Sequence, residues 1–254
     1  MKLVRTIAEL ETASETGLVP TMGALHEGHV ALLRTARQEN SRVVMSLFVN
    51  PAQFDEPTDL DAYPRDEARD LEIAESEGVD VVFAPAAEDL YPPGFASWVD
   101  PGETGAEGAA RPGHFRGVAT VCLKLFNLVQ PERAYFGQKD AQQLAVVRRL
   151  VRDLNVPVEI RAVSTVRDTD GLALSSRNRR LSTDERARAL GLPRALASAV
   201  GKADPVAAAR GSLNGLEPEY VEVLDLGDAR VLAAAIRVGS TRLIDNVLLE
   251  GELR

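Results

Sequence analysis

The sequence predicts an α/β protein: a Rossmann-like, doubly wound parallel sheet followed by a second, smaller α+β domain. Through the first two thirds of the chain, short apolar runs of β type alternate with helical patterns, which is typical of a parallel sheet covered on both faces. After about Val166 the alternation stops, and strand candidates follow one another near the end. A length of 254 residues is sufficient for two domains with their own cores, and we place them at 1–166 and 167–254.

The elements of the larger domain follow from the spacing of apolar residues. A compact apolar run predicts a buried strand, and apolar residues three and four positions apart predict one face of a helix. The expected strands are Leu18–Pro20, Arg42–Val49, Val79–Phe83, Ala134–Phe136 and Val158–Val163. The expected helices begin near Gly28 and span Pro64–Glu77, with Ala68, Leu71 and Ala74 at helical spacing, Gly117–Val129 and Ala141–Leu154. The Gly- and Pro-rich stretch Gly94–Gly113 is expected to be irregular.

The elements of the smaller domain are marked by capping residues and by β-branched runs. Ser182 followed by Glu185 is typical of a helix start, and the Ala- and Leu-rich pattern after it predicts one helix to about Val200. A second helix is expected to begin at Asp204. Strands are expected at Tyr220–Leu224, Ala234–Val238 and Arg242–Leu249.

Composition excludes several classes of protein. The net charge of −9 argues against a general nucleic-acid-binding protein, which needs a basic face. No apolar run approaches the roughly 20 residues of a membrane span, and the first residues lack the long apolar segment of a secretory signal. The single cysteine, Cys122, permits no internal disulfide and favours a reducing compartment, so we expect a cytoplasmic protein. Because it lies in an apolar helical pattern, we interpret Cys122 as a core residue.

The tract Pro20–His29 holds two of the three histidines of the chain, at the turn from a strand to a helix. A zinc-protease motif requires histidines four residues apart on a formed helix, so the spacing of His26 and His29 disfavours a metal site. A helix N-terminus offers unpaired N–H groups and the positive end of a dipole. We therefore interpret the tract as an anion site to which both imidazoles donate hydrogen bonds. A capping loop with solvated histidines is the alternative.

Two further tracts carry cations at loops that begin helices. Lys139 follows a strand and supplies a mobile cation suited to phosphate, while the neighbouring Asp140 is explained equally well as a helix cap. The tract Ser175–Arg177 joins two hydroxyls to a guanidinium, a combination that clamps phosphate oxygens, although such tracts are also common in solvated loops.

The tract Phe48–Phe54 leaves the second strand and carries polar side chains beside an aromatic ring. Asn50 and Gln53 are suited to a hydroxyl or a carboxylate, and Phe54 to an apolar wall of a binding site. A simple Asn-Pro turn is the alternative. Neither a Walker loop nor a Rossmann Gly-x-Gly-x-x-Gly motif is present, which disfavours a P-loop ATPase and a dehydrogenase.

These tracts, in this order, closely resemble the pantothenate synthetase (pantoate–β-alanine ligase) family of His-x-Gly-His nucleotidyltransferases. The resemblance spans nearly the whole chain. The matching tracts are Pro20–His29, Phe48–Phe54, Asp59–Arg65, Arg111–Val121, Tyr135–Gln143, Asp170–Asn178 and Thr241–Asn246.

The resemblance implies an enzyme that joins pantoate to β-alanine with ATP through a pantoyl-adenylate, releasing AMP and pyrophosphate. It also implies Mg²⁺ carried with ATP, small-molecule substrates and a cytoplasmic homodimer. His29 would be the general acid, His26 its companion facing the phosphates, and Lys139 a third catalytic residue. Gln53 would contact pantoate and β-alanine, and Gln143 would contact pantoate. The ATP site would comprise Met22, Gly23, Ala24, Leu25, His26, Glu27, Gly28, His29, Gly137, Gln138, Lys139, Asp140, Val166, Leu174, Ser175, Ser176 and Arg177.

Two features bear on details of this expectation. Gln138 stands where many family members have glutamate, so we expect its backbone to matter more than its side chain. The second domain and the segment Asp55–Tyr63 are candidate lids that exclude water from the adenylate.

Three other functions share part of this pattern. They are another adenylyltransferase with the His-x-Gly-His loop, an aminoacyl-tRNA synthetase, and a nucleotide-binding regulator without activity. The first tends to lack the Asn-Pro-x-Gln-Phe and Gly-x-Lys-Asp-x-x-Gln tracts together, and the acidic charge disfavours the second. The intact tract Ser175–Arg177, with His26, His29 and Lys139, speaks against the third.

Overall fold

The computed structural model describes residues 1–54, 60–102 and 104–253. Its larger part is a six-stranded parallel sheet with the order β1-β4-β3-β2-β5-β6, which confirms the predicted doubly wound α/β architecture. The strands are β1 (Lys2–Val4), β2 (Thr16–Thr21), β3 (Arg42–Leu47), β4 (Val81–Phe83), β5 (Arg133–Gly137) and β6 (Glu159–Val163).

Helices cover both faces of this sheet. One apolar core lies between the sheet and the helices α5 and α6, and a second lies between the sheet and the helices α1 and α2. Burial of β2, β3 and β4 on both faces explains why their sequences are continuous apolar runs rather than alternating ones. The helices of this part are α1 (Glu27–Glu39), α2 (Glu67–Ser76), α3 (Ala87–Leu90), α4 (Ala106–Ala110), α5 (His114–Val129) and α6 (Ala141–Asp153).

The smaller part is an antiparallel sheet of three strands with its own core. Its strands are β7 (Pro218–Asp225), β8 (Ala229–Val238) and β9 (Thr241–Gly251), in the order β7-β8-β9. The helices α7 (Thr183–Ala189), α8 (Gly191–Ala199) and α9 (Pro205–Ser212) contribute apolar side chains to that core. This is the α+β arrangement that the sequence predicts, with each strand longer than expected.

Three elements of the larger part differ from the prediction. Strand β1 was not predicted, because three residues are too short a run to show periodicity. The stretch Gly94–Gly113 was expected to be irregular, yet it contains the five-residue helix α4. Helix α2 begins at Glu67, and Ala68 is exposed, while Asp70 and Ala74 lie on the buried face.

In the smaller part, the single helix expected between Ser182 and Val200 is two helices, α7 and α8. Pro193 has no N–H to donate to the carbonyl of the preceding turn, so one continuous helix is disfavoured there. Ser182 caps α7 as expected, since its hydroxyl accepts a hydrogen bond from the N–H of Glu185. Within the described part of the chain, no helix is both long enough and apolar enough to cross a bilayer.

Candidate functional site

A cleft lies at the carboxyl ends of the parallel strands, where the strand order reverses. Strand β2 is paired with β3 on one side and β5 on the other, so loops leaving β2 and β5 diverge at this point. Crevices at such a switch point bind ligands in open α/β sheets. Predicted site residues that line the cleft are Met22, His26, Gly28, His29, Gln53, Gly137, Lys139, Asp140, Gln143, Val166, Leu174, Ser175, Ser176 and Arg177.

His26 and His29 face each other at the N-terminus of α1, with ring centroids 4.2 Å apart. His26 Nδ1 accepts a hydrogen bond from the N–H of Gly28 at 3.1 Å, and His29 Nδ1 accepts one from the N–H of His26 at 3.3 Å. Because each Nδ1 accepts, the proton of each neutral ring lies on Nε2. The two imidazoles therefore cap the helix with one nitrogen and keep an N–H donor on the other.

The electrostatic surroundings keep both rings neutral. Burial, Lys139 and Arg179 lower the pKa of His26 to about 4, and burial, His26 and Lys139 lower the pKa of His29 to about 3. Both values lie well below 6.5, so the rings are hydrogen-bond donors rather than cations at neutral pH. Lys139 acts on both histidines, which places the predicted phosphate-binding groups in one electrostatic environment.

Gly28 allows the His26 ring to lie over the first turn of α1. A Cβ atom at position 28 would lie 2.8 Å from Cε1 and 2.9 Å from Nδ1 of His26, closer than real Cβ atoms approach their neighbours. A larger residue at position 28 would therefore displace the imidazole. The glycine is a steric requirement of the histidine pair.

Asp70, on α2, holds the loop that precedes α1. The Asp70 carboxylate, 2% exposed, accepts hydrogen bonds from the N–H groups of Ala24 and Leu25 at 2.9 and 2.8 Å. Gly23 has a φ of +80°, and a Cβ there would lie 2.7 Å from Asp70 Oδ2. The amides of Ala24 and Leu25 are thus engaged by the protein itself and are not aimed at the cleft.

The loop after β5 presents Lys139 and Asp140. Lys139 Nζ lies 3.7 Å from Asp140 Oδ2, and the Asp140 side chain makes no capping hydrogen bond to α6. A helix cap therefore does not explain Asp140, whose carboxylate lines the cleft. Asn246, on β9, fixes this loop because its side-chain amide donates to the carbonyls of Gln138 and Lys139 at 2.9 and 2.8 Å.

The tract Ser175–Arg177 reaches the same cleft from the smaller part of the chain. Ser175 caps a short 3₁₀ helix, since its hydroxyl accepts a hydrogen bond from the N–H of Arg177 at 3.3 Å. Ser176 and Tyr63 both line this cleft. Arg180 donates to the carbonyl of Ala62 at 2.8 Å, which links this helix to the segment around Tyr63.

Gln53 is held beneath the first turn of α5. Its side-chain oxygen accepts a hydrogen bond from Asn50 at 3.0 Å, and Asn50 also donates to the carbonyl of Gly117 at 3.1 Å. A Cβ at Gly117 would lie 2.3 Å from the carbonyl oxygen of Ala52, so only glycine permits this approach of backbone to backbone. Gln143, on α6, lines the same cleft.

Five of the predicted site residues do not line the cleft. Gly23, Ala24 and Leu25 are buried in the loop, and Glu27 is exposed and lies 3.8 Å from Arg34. Gln138 directs its side chain to the carbonyl of Leu253, and its main-chain carbonyl accepts a hydrogen bond from Asn246. Gly137 lines the cleft with a φ of −79°, so its conformation does not require glycine.

Several lining or supporting residues had no role in the sequence analysis. Asp70 lies in a helix whose sequence is typical of a charged surface helix, so no local signal distinguishes it. Glu107, Arg111 and His114 line the cleft. Arg111 and His114 lie in a tract recognised only as part of the family pattern, and Glu107 lies in the stretch that was expected to be irregular. Arg242 pairs with Glu107 at 2.8 Å, across 135 residues of sequence. Only a knowledge of tertiary contacts could have found these partners.

Nearly the whole chain matches one known protein family. The model of the family described as pantoate-beta-alanine ligase matches residues 1–248. The chain belongs to the pantoate–β-alanine ligase family. Pantothenate synthetases from Roseiflexus sp. and Chloroflexus aurantiacus are 52% and 51% identical to it, over 98% and 99% of this chain and 100% and 99% of theirs.

Solved structures of this ligase family share the fold. Pantothenate synthetase from Thermus thermophilus superposes with a TM-score of 0.91 at 45% identity, covering 98% of this chain and 99% of that one. Pantoate-beta-alanine ligase from Francisella tularensis, solved with a β,γ-ATP compound and β-alanine, has a TM-score of 0.85 at 35% identity and covers 99% of both chains. Membership of the ligase family makes the chain an enzyme that joins pantoate to β-alanine.

Proposed function

We propose that this cleft makes pantothenate in two half-reactions, with an adenylate of pantoate as the intermediate. The proposal rests on the set of groups that line one cleft. They are two neutral imidazoles, Lys139, the tract Ser175–Arg177, Gln53 and Gln143. Donors and cations suited to a triphosphate therefore lie beside amides suited to a hydroxy acid. The fold alone would not indicate this function, because the same fold carries many different functions.

In the first half-reaction, the pantoate carboxylate attacks the α-phosphorus of ATP. A new P–O bond forms, the bond from the α-phosphorus to the bridging oxygen breaks, and pyrophosphate leaves with the bonding electrons. Two anions must approach each other, so positioning and charge neutralisation supply most of the rate enhancement. Lys139, Arg177 and the Nε2–H groups of His26 and His29 are donors of the required kind, and each would contribute about 2–4 kcal/mol to the transition state.

His29 is the proposed general acid, with His26 beside it. In the unliganded protein its pKa of about 3 makes it a neutral donor. The negative charge of a bound triphosphate favours the protonated ring and raises this pKa. Proton donation by His29 is thus tied to the presence of the substrate.

In the second half-reaction, the amine of β-alanine attacks the carbonyl carbon of the adenylate. A C–N bond forms, the C–O bond to the phosphate breaks, AMP leaves, and the nitrogen releases a proton. No covalent bond to the protein is needed. Cys122 is no candidate nucleophile, because it is buried among apolar side chains and burial raises its pKa to about 12.

Mg²⁺ would enter with the triphosphate and neutralise part of its charge. The described residues contain no cluster of three or more His, Cys, Asp or Glu side chains that would hold a metal by themselves. Mg²⁺ commonly binds through one or two carboxylates and the phosphates of a substrate. Of the two described carboxylates that line the cleft, Asp140 fits this role, because its side chain is 45% exposed, whereas Glu107 is buried in a 2.8 Å pair with Arg242.

We propose that residues 1–166 bind the nucleotide and that residues 167–254 act as a lid. The hydrogen bond from Arg180 to the carbonyl of Ala62, the neighbour of Tyr63 in the cleft, supports this division because it joins the two parts. A closed lid would keep water from the acyl-adenylate. Of the expected lid segment Asp55–Tyr63, the residues 55–59 lie outside the described residues.

We further propose a cytoplasmic homodimer that acts on the small molecules pantoate, β-alanine and ATP and on neither nucleic acid nor membranes. A single buried cysteine is suited to a reducing compartment, and the acidic charge disfavours nucleic acid.

The experiment that tests the function is pyrophosphate release from ATP by the purified protein. Release should require pantoate, and AMP and pantothenate should appear in equal amounts when β-alanine is added. A nucleotide-binding protein without activity would release no pyrophosphate under any of these conditions. Release in the absence of pantoate would indicate a different acceptor.

A further inference from the structure

His114, the third histidine, is held by two fixed neighbours at the start of α5. Its Nδ1 lies 2.9 Å from the main-chain oxygen of Gln53, and its Nε2 lies 3.4 Å from Nη1 of Arg111. A carbonyl oxygen only accepts and a guanidinium only donates, so Nδ1 carries the proton and Nε2 accepts. Both ring nitrogens are therefore engaged by the protein, and none is left for a substrate.

The ring is neutral in this position. Burial and the Arg111 guanidinium lower the pKa of His114 to about 4, so the tautomer with hydrogen on Nδ1 persists at neutral pH. His114 is 8% exposed. A neutral, buried ring with two fixed partners is a rigid support rather than a proton carrier.

The supported group is the backbone of Gln53. Besides His114, Arg111 Nη2 donates to the same carbonyl at 3.2 Å. The Gln53 side chain is held separately: its oxygen accepts from Asn50 at 3.0 Å, and its amide nitrogen donates to Sδ of Met22 at 2.9 Å. Gln53 is thus fixed at its main chain by the corner between α4 and α5 and at its side chain by Asn50 and Met22.

The support continues into the smaller part of the chain. Glu107 lies 3.6 Å from Arg111, and it accepts hydrogen bonds from Arg242 at 2.8 and 2.9 Å and from Tyr220 at 3.1 Å. Burial alone would raise the pKa of the Glu107 carboxyl, but Arg242 and Arg111 hold it below its usual value. A chain of charged groups therefore runs from β9 to the carbonyl of Gln53.

We propose that His114 is a positioning residue for the acid substrate: through the carbonyl of Gln53 it sets the affinity for pantoate while leaving that for ATP unchanged. The inference rests on the proposed function, which assigns Gln53 to pantoate. On this proposal, different residues hold the loops that bind the two substrates. Asp70 holds the loop before α1, which binds the nucleotide, and His114 holds the loop of Gln53, which binds the acid.

The test compares two substitutions of equal shape, His114→Asn and His114→Leu. Asparagine places an N–H at the position of Nδ1, whereas leucine places a methyl group there. The KM for pantoate, ATP and β-alanine is measured for each purified full-length variant by pyrophosphate and AMP release. For His114→Leu we expect the KM for pantoate to rise about tenfold and the KM for ATP to change less than about twofold. For His114→Asn we expect a KM for pantoate within about threefold of the unsubstituted value.

Thr120→Val is the matched control on the same helix. Thr120 is buried, donates to the carbonyl of Arg116 at 2.7 Å and accepts from the N–H of Val99 at 3.0 Å. Loss of the Thr120 hydroxyl should lower the thermal midpoint of unfolding without changing the KM for pantoate. If His114→Leu does not fold, His114→Asn still decides the matter, since a large rise in its KM for pantoate contradicts the proposal.

The outcomes separate this inference from the proposed function. If the unsubstituted protein requires pantoate but His114→Leu keeps its KM for pantoate, or raises both KM values equally, only the inference fails. If the unsubstituted protein releases no pyrophosphate with pantoate, the function fails and the inference with it.

Discussion

The carboxylate of Asp70 accepts a hydrogen bond of 2.9 Å from the N–H of Ala24, a residue 46 positions earlier in the chain. The same carboxylate accepts a second bond from the next amide, at 2.8 Å. One buried side chain on α2 thus fixes the loop that precedes the histidine pair. Because loop position determines where His26 and His29 lie, we expect the proposed reaction to depend on a residue that does not line the cleft.

We expect Asp70→Ala to weaken both stability and nucleotide binding. Two buried N–H groups lose their acceptor, which lowers the free energy of unfolding by about 2–4 kcal/mol. The released loop should raise the KM for ATP about tenfold with little change in the KM for pantoate. Asp66→Ala is the control: it removes only the N-cap of the same helix, at about 1 kcal/mol, and should leave both KM values unchanged. Equal changes of KM in the two variants would contradict the assignment of Asp70 as the residue that holds the nucleotide loop.

We expect Lys139→Met to lower kcat at least about a hundredfold while the protein still folds. Methionine keeps much of the apolar stem and removes the cation that lies beside the histidines. His29→Ala should have a similar effect, because it removes a donor from the same cleft. Steady-state formation of pantothenate measures both variants. Lys124→Met, which removes a lysine lying over the Phe95 ring, is the control and should keep the unsubstituted rate.

We expect Gly28→Ala to disturb the active site without unfolding the helix. The added Cβ would overlap the His26 ring, and the imidazole must move. A displacement of about 1 Å is sufficient to lower kcat/KM for ATP between about tenfold and a hundredfold. Gly211→Ala, in α9, meets no atom within 4 Å and should raise stability by up to about 1 kcal/mol with unchanged activity. A fully active Gly28→Ala enzyme would show that the ring position is unimportant.

We expect the protein to lose stability as the pH falls from about 7 to 5. The pKa values of His26 and His114 are lowered to about 4 and that of His29 to about 3, so the unfolded chain takes up protons near pH 6.5 that the folded chain does not. The stabilisation is therefore present above pH 6.5 and declines as the pH falls toward 4. Urea midpoints at pH 7.5, 6 and 5 measure it. In His114→Asn the urea midpoint should fall less between pH 7.5 and 5. An equal fall would contradict the lowered pKa of His114.

Local signals were sufficient for most of the architecture. The compact apolar runs of β2 and β3 and the helical spacing of α5 and α6 depend on residues close in sequence, so periodicity identified them. Failures occurred where the local signal was short or absent. Strand β1 has three residues, α4 has five, and the boundary between α7 and α8 depends on Pro193 within an otherwise helical pattern.

The site was predictable to the extent that its residues lie in loops after strands. The carboxyl ends of parallel strands meet at one edge of a sheet, so His26, His29 and Lys139 were expected together and line one cleft. From the sequence, Asp140 was explained equally well as a helix cap and as a ligand-binding group. The absence of a side-chain cap at α6 favours the ligand role, which its sequence position alone did not reveal.

Periodicity and turn residues act over a few positions, so the order of amino acids was sufficient to predict the α/β class and the loops proposed to carry the chemistry. The contacts that hold those loops depend on the packing of elements far apart in the chain. Asp70 reaches Leu25 across 45 positions, His114 reaches Gln53 across 61, and Arg242 reaches Glu107 across 135. A buried polar group is stable only where its partner is present, and that partner is chosen by the packing of distant elements rather than by neighbouring residues.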